Sequence, residues 1–123
     1  NQAQGDCFGP NTNYPKTIAE IGESKGLATG IVTTDKVTYA TPAAVYAHSP
    51  SRHWEDDSML PDESRKRGCQ DIAQQLVNFP YGDGLDVILG GGLESLLPVA
   101  KGGKRLDSDG DLHLLEEDFN YEE

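Results

Sequence analysis

The sequence is short of positive charge. Ten Lys and Arg stand against 21 Asp and Glu, a formal net charge of −11. That argues against nucleic acid as a partner, because its phosphate backbone is held through Lys and Arg contacts. An acidic surface also repels anionic membranes. No apolar run is long enough to span a bilayer. Hydrophobic residues make up only 36% of the 123 positions, little for a self-sufficient domain and suited to a piece of a larger core. The chain opens on Asn1, with neither an initiator Met nor a signal-peptide pattern, and reads as an excerpt or a processed piece. Cysteine is scarce. Cys7 and Cys69 are the only two, and the CxxC and Cys/His spacings of zinc sites are missing. Two cysteines allow one bridge. A buried free thiol at Cys69, on an apolar helical face, is the alternative.

What is present begins with punctuation. Residues 1–16 are polar and rich in Asn, Gly and Pro, which predicts a loop. Thr17-Ile-Ala-Glu20 fits a capping box, with a helix to about Lys25, Ile18 and Ile21 toward a sheet, and Gly26 as the stop. Leu27–Thr33 reads as a strand. Thr33-Thr-Asp35 follows it, where α/β sheets gather ligands, although a polar strand end and turn is the better explanation of these residues.

The stretch from Tyr39 to Arg52 carries the chemistry. Thr41 suits an N-cap and Pro42 a first helical position, so a helix is expected over 42–48. Ser49-Pro50 stops it and lets Arg52 turn back toward the strand end. A hydroxyl and a guanidinium meeting there would suit a phosphate or metal-phosphate site. The plain alternative is a capped helix with a solvated arginine. His48, near the helix C-terminus, reads as structural. Trp54 packs either over the loop or in the core.

Farther on, Glu55-Asp-Asp57 and Asp62-Glu63 read as solvated acidic loop. A second helix starts at Ser64 or a neighbour. Cys69, Ile72, Ala73, Leu76 and Val77 fall on one apolar face of it, and Arg65, Lys66 and Arg67 lie at its surface. Tyr81–Gly84 is a turn and Leu85–Leu89 a second strand. Gly90-Gly-Gly92 follows that strand but lacks the further residues of phosphate-loop or dinucleotide motifs. Residues 92–97 make a helical turn or two ending by Pro98, and Lys101–Lys104 a flexible link. Asp107-Ser-Asp-Gly-Asp111 with Glu116 partly imitates a calcium loop. Arg105 stands at its first ligand position, which excludes an EF-hand. Residues 116–123 form an acidic surface segment. The order strand, helix, helix, strand predicts a βαβ crossover with parallel strands.

Several of these pieces together resemble the alkaline phosphatase family. They are Gly30-Ile-Val-Thr-Thr-Asp35, Ala40-Thr-Pro-Ala-Ala44, Tyr46-Ala-His48, Ser51-Arg52, Gly68-Cys-Gln-Asp-Ile-Ala73 and Asp86-Val-Ile-Leu-Gly-Gly-Gly92, in the family's order and spacing. The resemblance implies an α/β fold, a slice of a parallel-sheet sandwich set between helical layers, with Gly90-Gly-Gly92 at a strand-end turn where backbones approach closely. The chain would then be one partial domain over 1–123, with a loop at 1–16, an α/β core at 17–97 and an acidic polar segment at 98–123.

The resemblance also implies a phosphomonoesterase with two zinc ions, one magnesium ion and a serine nucleophile, working through a phosphoserine intermediate. Arg52 falls on its phosphate-gripping arginine, and His53 beside it tunes the environment of bound phosphate. Thr41 falls on the hydroxyl that helps hold magnesium. Tyr39 stands at the third metal site where the family usually has Asp or His, and tyrosine is a poor magnesium ligand at neutral pH. The Asp-Ser nucleophile signature would lie before this stretch and most zinc ligands after it, so the segment alone is expected to be inactive. The resemblance further implies a Cys7–Cys69 disulfide, a periplasmic or secreted protein, a phosphate monoester substrate and a homodimer. On the chain-entropy estimate the bridge adds roughly 4 kcal/mol. The competing reading is a non-catalytic acidic domain, binding calcium, with a degenerate phosphatase-like core. A sulfatase or phosphodiesterase relative is less favoured by the Ala40-Thr-Pro-Ala-Ala44 and Ser51-Arg52 pieces.

Overall fold

Two strands, paired in parallel although 50 residues of sequence lie between them, organise the chain. The computed structural model describes Cys7 and residues 14–106. Strand β1 is Gly30–Lys36 and strand β2 is Val87–Gly91. Gly30 pairs with Val87, Ile31 with Ile88 and Val32 with Leu89; the register then shifts before Lys36 meets Gly91. The parallel α/β arrangement expected from the sequence is therefore present.

Both strands start and end later than the apolar runs suggested. Before the ladder, Thr29 and Asp86 are tied otherwise. The Thr29 amide donates to the Asp86 carboxylate at 2.7 Å, and the Asp86 amide donates to the Thr29 carbonyl at 2.9 Å. Beyond Leu89 the ladder runs into the glycines. A Cβ on Gly90 would stand 2.6 Å from Thr33 Cγ2 and 2.7 Å from Val37 Cγ1. Only a residue without a side chain lets the strands approach that closely, so the close approach expected of Gly90–Gly92 is observed. Thr33, Thr34 and Asp35 consequently lie within β1 and not beyond it.

Helix α1, Ile18–Glu23, starts at the expected capping box. Thr17 accepts from the Glu20 amide, and Glu20 returns the bond to the Thr17 amide. Its orientation differs from the expectation. Ile18 is 87% exposed, while Ala19, Glu20, Gly22 and Glu23 are buried. The helix turns Glu20 inward because that carboxylate serves both the cap and His48, whose Nε2 lies 2.6 Å away. Ile18 and Ile21 are left outward.

Helix α2 is short, Ala40–Ala43, and turns continue the chain through Tyr46. Its N-cap is Tyr39, without a side-chain cap bond, so the N-cap expected at Thr41 is corrected. Pro42 still falls in the first turn, where its missing N–H costs nothing. The last i to i−4 bond runs from the Ala47 amide to Ala43, just ahead of Ser49-Pro50.

The expected second helix is two helices, α3 at Asp62–Lys66 and α4 at Ile72–Val77. Gly68, at φ +80°, breaks the run between them. Asp71 opens α4 by accepting from the Gln74 amide at 2.8 Å. The apolar face survives the break: Cys69, Ile72, Ala73 and Leu76 are buried. Ile31, Val37, Ala43, Tyr46, Ile72, Leu76 and Phe79 form the main core. Tyr46 donates to the Val37 carbonyl at 2.8 Å. Burial and the nearby Glu55 and Asp71 charges push its hydroxyl far up, so it stays a donor.

Trp54 belongs to a second cluster with Leu60 and Cys69, against which Cys7 packs. The Cys7–Cys69 disulfide is formed, with the two Cα atoms 5.8 Å apart. The acidic run beside Trp54 is not solvated as expected. Asp56 is 1% exposed and caps the 3-10 turn Asp57–Met59 by accepting from the Ser58 amide. Asp57 accepts from the Leu106 amide at 2.8 Å. Chain direction explains the difference: these carboxylates point back onto backbone amides, which alternation along the sequence does not reveal. Asp62 and Glu63 are exposed, as are Arg65, Lys66 and Arg67.

After β2, a 3-10 turn at Leu93–Ser95 and another at Val99–Lys101 bring Pro98 alongside Arg105. The calcium-like run 107–111, Glu116, the acidic end, and the opening loop apart from Cys7 and residues 14–16 lie outside the described residues.

Candidate functional site

The turn leaving β1 sets the first two candidate residues. The Tyr39 amide donates to the Lys36 carbonyl, and the backbone then enters α2. The first turn of α2 buries Pro42 and Ala43 against the core, which leaves Thr41 on the solvent side. Thr41 has no side-chain hydrogen bond among the described residues. Tyr39 is 41% exposed, and the Lys36 ammonium sits 5.3 Å from its ring centroid. Lys36 is itself paired with Glu94 at 2.9 Å and lies 3.7 Å from Glu55. The Lys36 hydrogen bond holds the Glu94 carboxyl down at about 2, and in return the Lys36 ammonium is pushed up. This ion cluster fastens the carboxyl end of β1 to the turn after β2.

Arg52 and His53 lie in a tight turn between Ala47 and Trp54. Ser49 Oγ donates to the Ser51 carbonyl at 2.8 Å and accepts from the Ser51 amide at 3.3 Å. The Ser51 hydroxyl accepts from the His53 amide at 3.3 Å, and the Trp54 amide donates to the Ser51 carbonyl. Both Arg52 and His53 are exposed. Among the described residues Arg52 has no ion-pair or side-chain hydrogen-bond partner, Thr41 included. A guanidinium left to water in an acidic chain is available to an anion. His48, by contrast, is structurally committed: its ring stacks on Tyr14 at 4.9 Å and bonds Glu20.

Two anchors hold this turn, and both belong to α4. The Ile72 amide donates to the Trp54 carbonyl at 2.8 Å and the Ala73 amide to the Glu55 carbonyl at 3.0 Å. These are first-turn amides with no partner inside their own helix. On the other side of the turn, Gln75 Oε1 accepts from the His48 amide at 2.8 Å, and Gln75 Nε2 donates to the His48 carbonyl at 3.2 Å. Beneath α4, Arg105 meets Asp71 fork to fork, both N–O distances being 2.9 Å, at 2% and 0% side-chain exposure. Burial pushes the Asp71 carboxyl up, opposed by the Arg105 fork and the Gln74 amide.

Sequence reasoning missed Gln75 and Arg105 as supports. Gln75 carries no signal, being one polar residue on a helix. Arg105 was visible only as a residue that spoils a calcium loop. Asp71, placed three residues before Gln74, is a readable N-cap.

No group of three or more His, Cys, Asp or Glu among the described residues could hold a metal ion. Thr41 offers a single oxygen donor, and the ring of Tyr39 faces an ammonium. The described residues therefore do not form a metal centre, and no chemical step is derived through one.

A family model described as alkaline phosphatase matches residues 5–117. The tissue-nonspecific isozyme of alkaline phosphatase from Gallus gallus is 47% identical over 92 residues, 72% of this chain and 17% of the relative. Its counterpart from Homo sapiens is 39% identical over 103 residues, 84% of this chain and 19% of the relative. An alkaline phosphatase from Gadus morhua is 41% identical over 87 residues, covering 70% of this chain and 18% of the relative. The chain thus spans less than a fifth of the length of these relatives. With the family model covering nearly all of it, the chain belongs to the alkaline phosphatase family.

Proposed function

We propose that these residues are the arginine-bearing part of a phosphomonoesterase that hydrolyses phosphate monoesters through a phosphoserine intermediate. The observation that carries the proposal is Arg52: exposed, without a described partner, and held in a turn anchored on both sides. In a chain of net charge −11 such a guanidinium is the group suited to an anionic ester. Its planar fork makes two parallel bonds to nonbridging phosphate oxygens, and these strengthen as charge redistributes in the transition state. His53, adjacent and exposed, adds a polar neighbour to the bound phosphate.

The nucleophilic serine is assigned to no residue of this sequence. Zinc and magnesium enter through the family. They would supply Lewis-acid stabilisation of the attacking and leaving oxygens. Thr41 is proposed as one oxygen donor near magnesium, with the carboxylates coming from elsewhere in the polypeptide. Tyr39 is a weak candidate beside it, since its ring already receives Lys36. Residues 1–123 are read as one partial domain, inactive alone. Secretion, to the periplasm or the outside of the cell, is supported by the Cys7–Cys69 bridge. Among the described residues no helix is long and apolar enough to cross a membrane. A homodimer is proposed from the family alone.

The test is turnover of p-nitrophenyl phosphate at alkaline pH by the full-length gene product supplied with zinc and magnesium. The expected result is activity that a chelator abolishes. Arg52→Ala should weaken phosphate binding by at most about 3 kcal/mol, roughly a hundredfold, and leave residual turnover. Full-length protein without phosphatase activity under any metal supply would overturn the proposal. Complete loss of turnover in a folded, metal-loaded Arg52→Ala enzyme would contradict the supporting role given to Arg52.

A further inference from the structure

We infer that Gln75 is a positioning residue for Arg52, acting through the backbone of His48. The inference rests on the reading of Arg52 as the phosphate-binding group. An arginine without a described side-chain partner cannot be placed by its own contacts. Its position is inherited from the backbone that carries it. Residues 49–53 are half-buried or exposed throughout, so core packing does not fix their path. That path is fixed at its two ends. Downstream, Trp54 is buried and its carbonyl takes the Ile72 amide. Upstream, the Gln75 carboxamide covers both polar groups of the His48 backbone, N–H at 2.8 Å and C=O at 3.2 Å.

A primary amide pairs with a peptide unit in this way because it offers one acceptor and two donors side by side. The second donor of Gln75 reaches the Gln70 carbonyl at 3.3 Å, which fixes the amide's orientation. No other side chain joins α4 to the upstream arm of the turn among the hydrogen bonds described. His48 is also held through its ring by Glu20 and Tyr14, but those contacts come from the α1 side. Gln75 alone ties that arm to the helix that already holds the other arm. The spacing between the two arms, and so the direction in which Arg52 leaves the surface, is set on α4.

The experiment uses the full-length enzyme. The inhibition constant for inorganic phosphate is measured for Gln75→Leu, Gln75→Glu, Arg52→Ala and the Arg52→Ala/Gln75→Leu double variant, alongside kcat, KM and Tm. Gln75→Leu should raise the phosphate inhibition constant by about tenfold, the scale of two lost hydrogen bonds, with the loss falling on KM more than on kcat. Gln75→Glu keeps the acceptor for the His48 amide and should recover part of that loss. With Arg52 already removed, Gln75→Leu should add nothing further. An equal shift in both backgrounds would overturn the inference, because Gln75 would then act on the fold at large. So would an unchanged constant in Gln75→Leu when Arg52→Ala weakens phosphate. If Gln75→Leu does not fold, Gln75→Glu carries the same comparison, its shift vanishing without Arg52. If Arg52→Ala itself leaves the constant unchanged, the reading of Arg52 falls, and this inference falls with it.

Discussion

Arg52 and Arg105 occupy opposite environments. Arg105 is 2% exposed and meets Asp71 through a two-pronged pair, and its Nη1, which bonds Asp71 Oδ1, also donates to the Ser95 carbonyl at 3.4 Å. Arg52 is exposed and has no described partner. Burying a guanidinium is tolerable only when its charge and hydrogen bonds are matched, so Arg105 is bound to the fold. Leaving one in water costs little stability and keeps its donors available. Residue type alone does not separate these roles, whereas the identity of the partner does. The two are nonetheless linked, because Arg105 holds Asp71, Asp71 caps α4, and α4 anchors the turn that carries Arg52.

The largest effect should come from Arg105→Ala. It strands a fully buried carboxylate at the start of α4 and is expected to cost about 3–5 kcal/mol, read as a fall in Tm or denaturation midpoint of the full-length enzyme. A cost within about 0.5 kcal/mol, the range of ordinary surface substitutions, would erase the contrast between the two arginines. Gly90→Ala probes the strand pairing that frames both. The added methyl would meet Thr33 and Val37 inside 3 Å, so a loss of about 1–3 kcal/mol is expected. Unchanged stability in that variant would mean the strands separate more easily than their contacts indicate.

A smaller effect concerns the ion cluster at the end of β1. Glu94 titrates near 4.5 when unfolded and at about 2 when folded. Its contribution is therefore present above about pH 4.5 and is lost as the pH falls toward 2. Both partners are partly exposed, at 26% and 34%, so the contribution is expected to stay below about 1 kcal/mol. Urea midpoints of wild type and Glu94→Gln should differ at pH 6 and converge as the pH falls through that window. A gap that widens on acidification would contradict the assignment. Smallest of all is the stability change in Arg52→Ala, expected within about 0.5 kcal/mol because no described contact is lost.

Much of this was legible in the sequence. The Thr17/Glu20 box and the apolar face of Ile72, Ala73 and Leu76 follow from rules that act within a few residues, the parallel pairing from the order of the elements, and the close approach at Gly90 from the family resemblance. What escaped depends on distant partners. Asp56 and Asp57 looked like solvated acid and are buried on backbone amides, one of them 49 residues away at Leu106. Ile18 looked like core and faces outward, because Glu20 is claimed by His48 across 28 residues. The helix expected from Ser64 onward breaks at Gly68, where a positive φ allows the chain to bring Cys69 to Cys7. The resemblance drew attention to Arg52, Thr41 and Tyr39 as candidates, but no pattern in the sequence pointed to Gln75 or Arg105 as the supports of the turn that carries Arg52.

The most direct measurement is the competitive inhibition constant of inorganic phosphate on the full-length enzyme, wild type against Arg52→Ala, with Tm recorded on the same samples. The account predicts a constant raised by up to about a hundredfold and an unchanged Tm. An unchanged constant, or a weaker one accompanied by a large fall in Tm, would contradict it and place Arg52 with Arg105 among the residues that hold the fold.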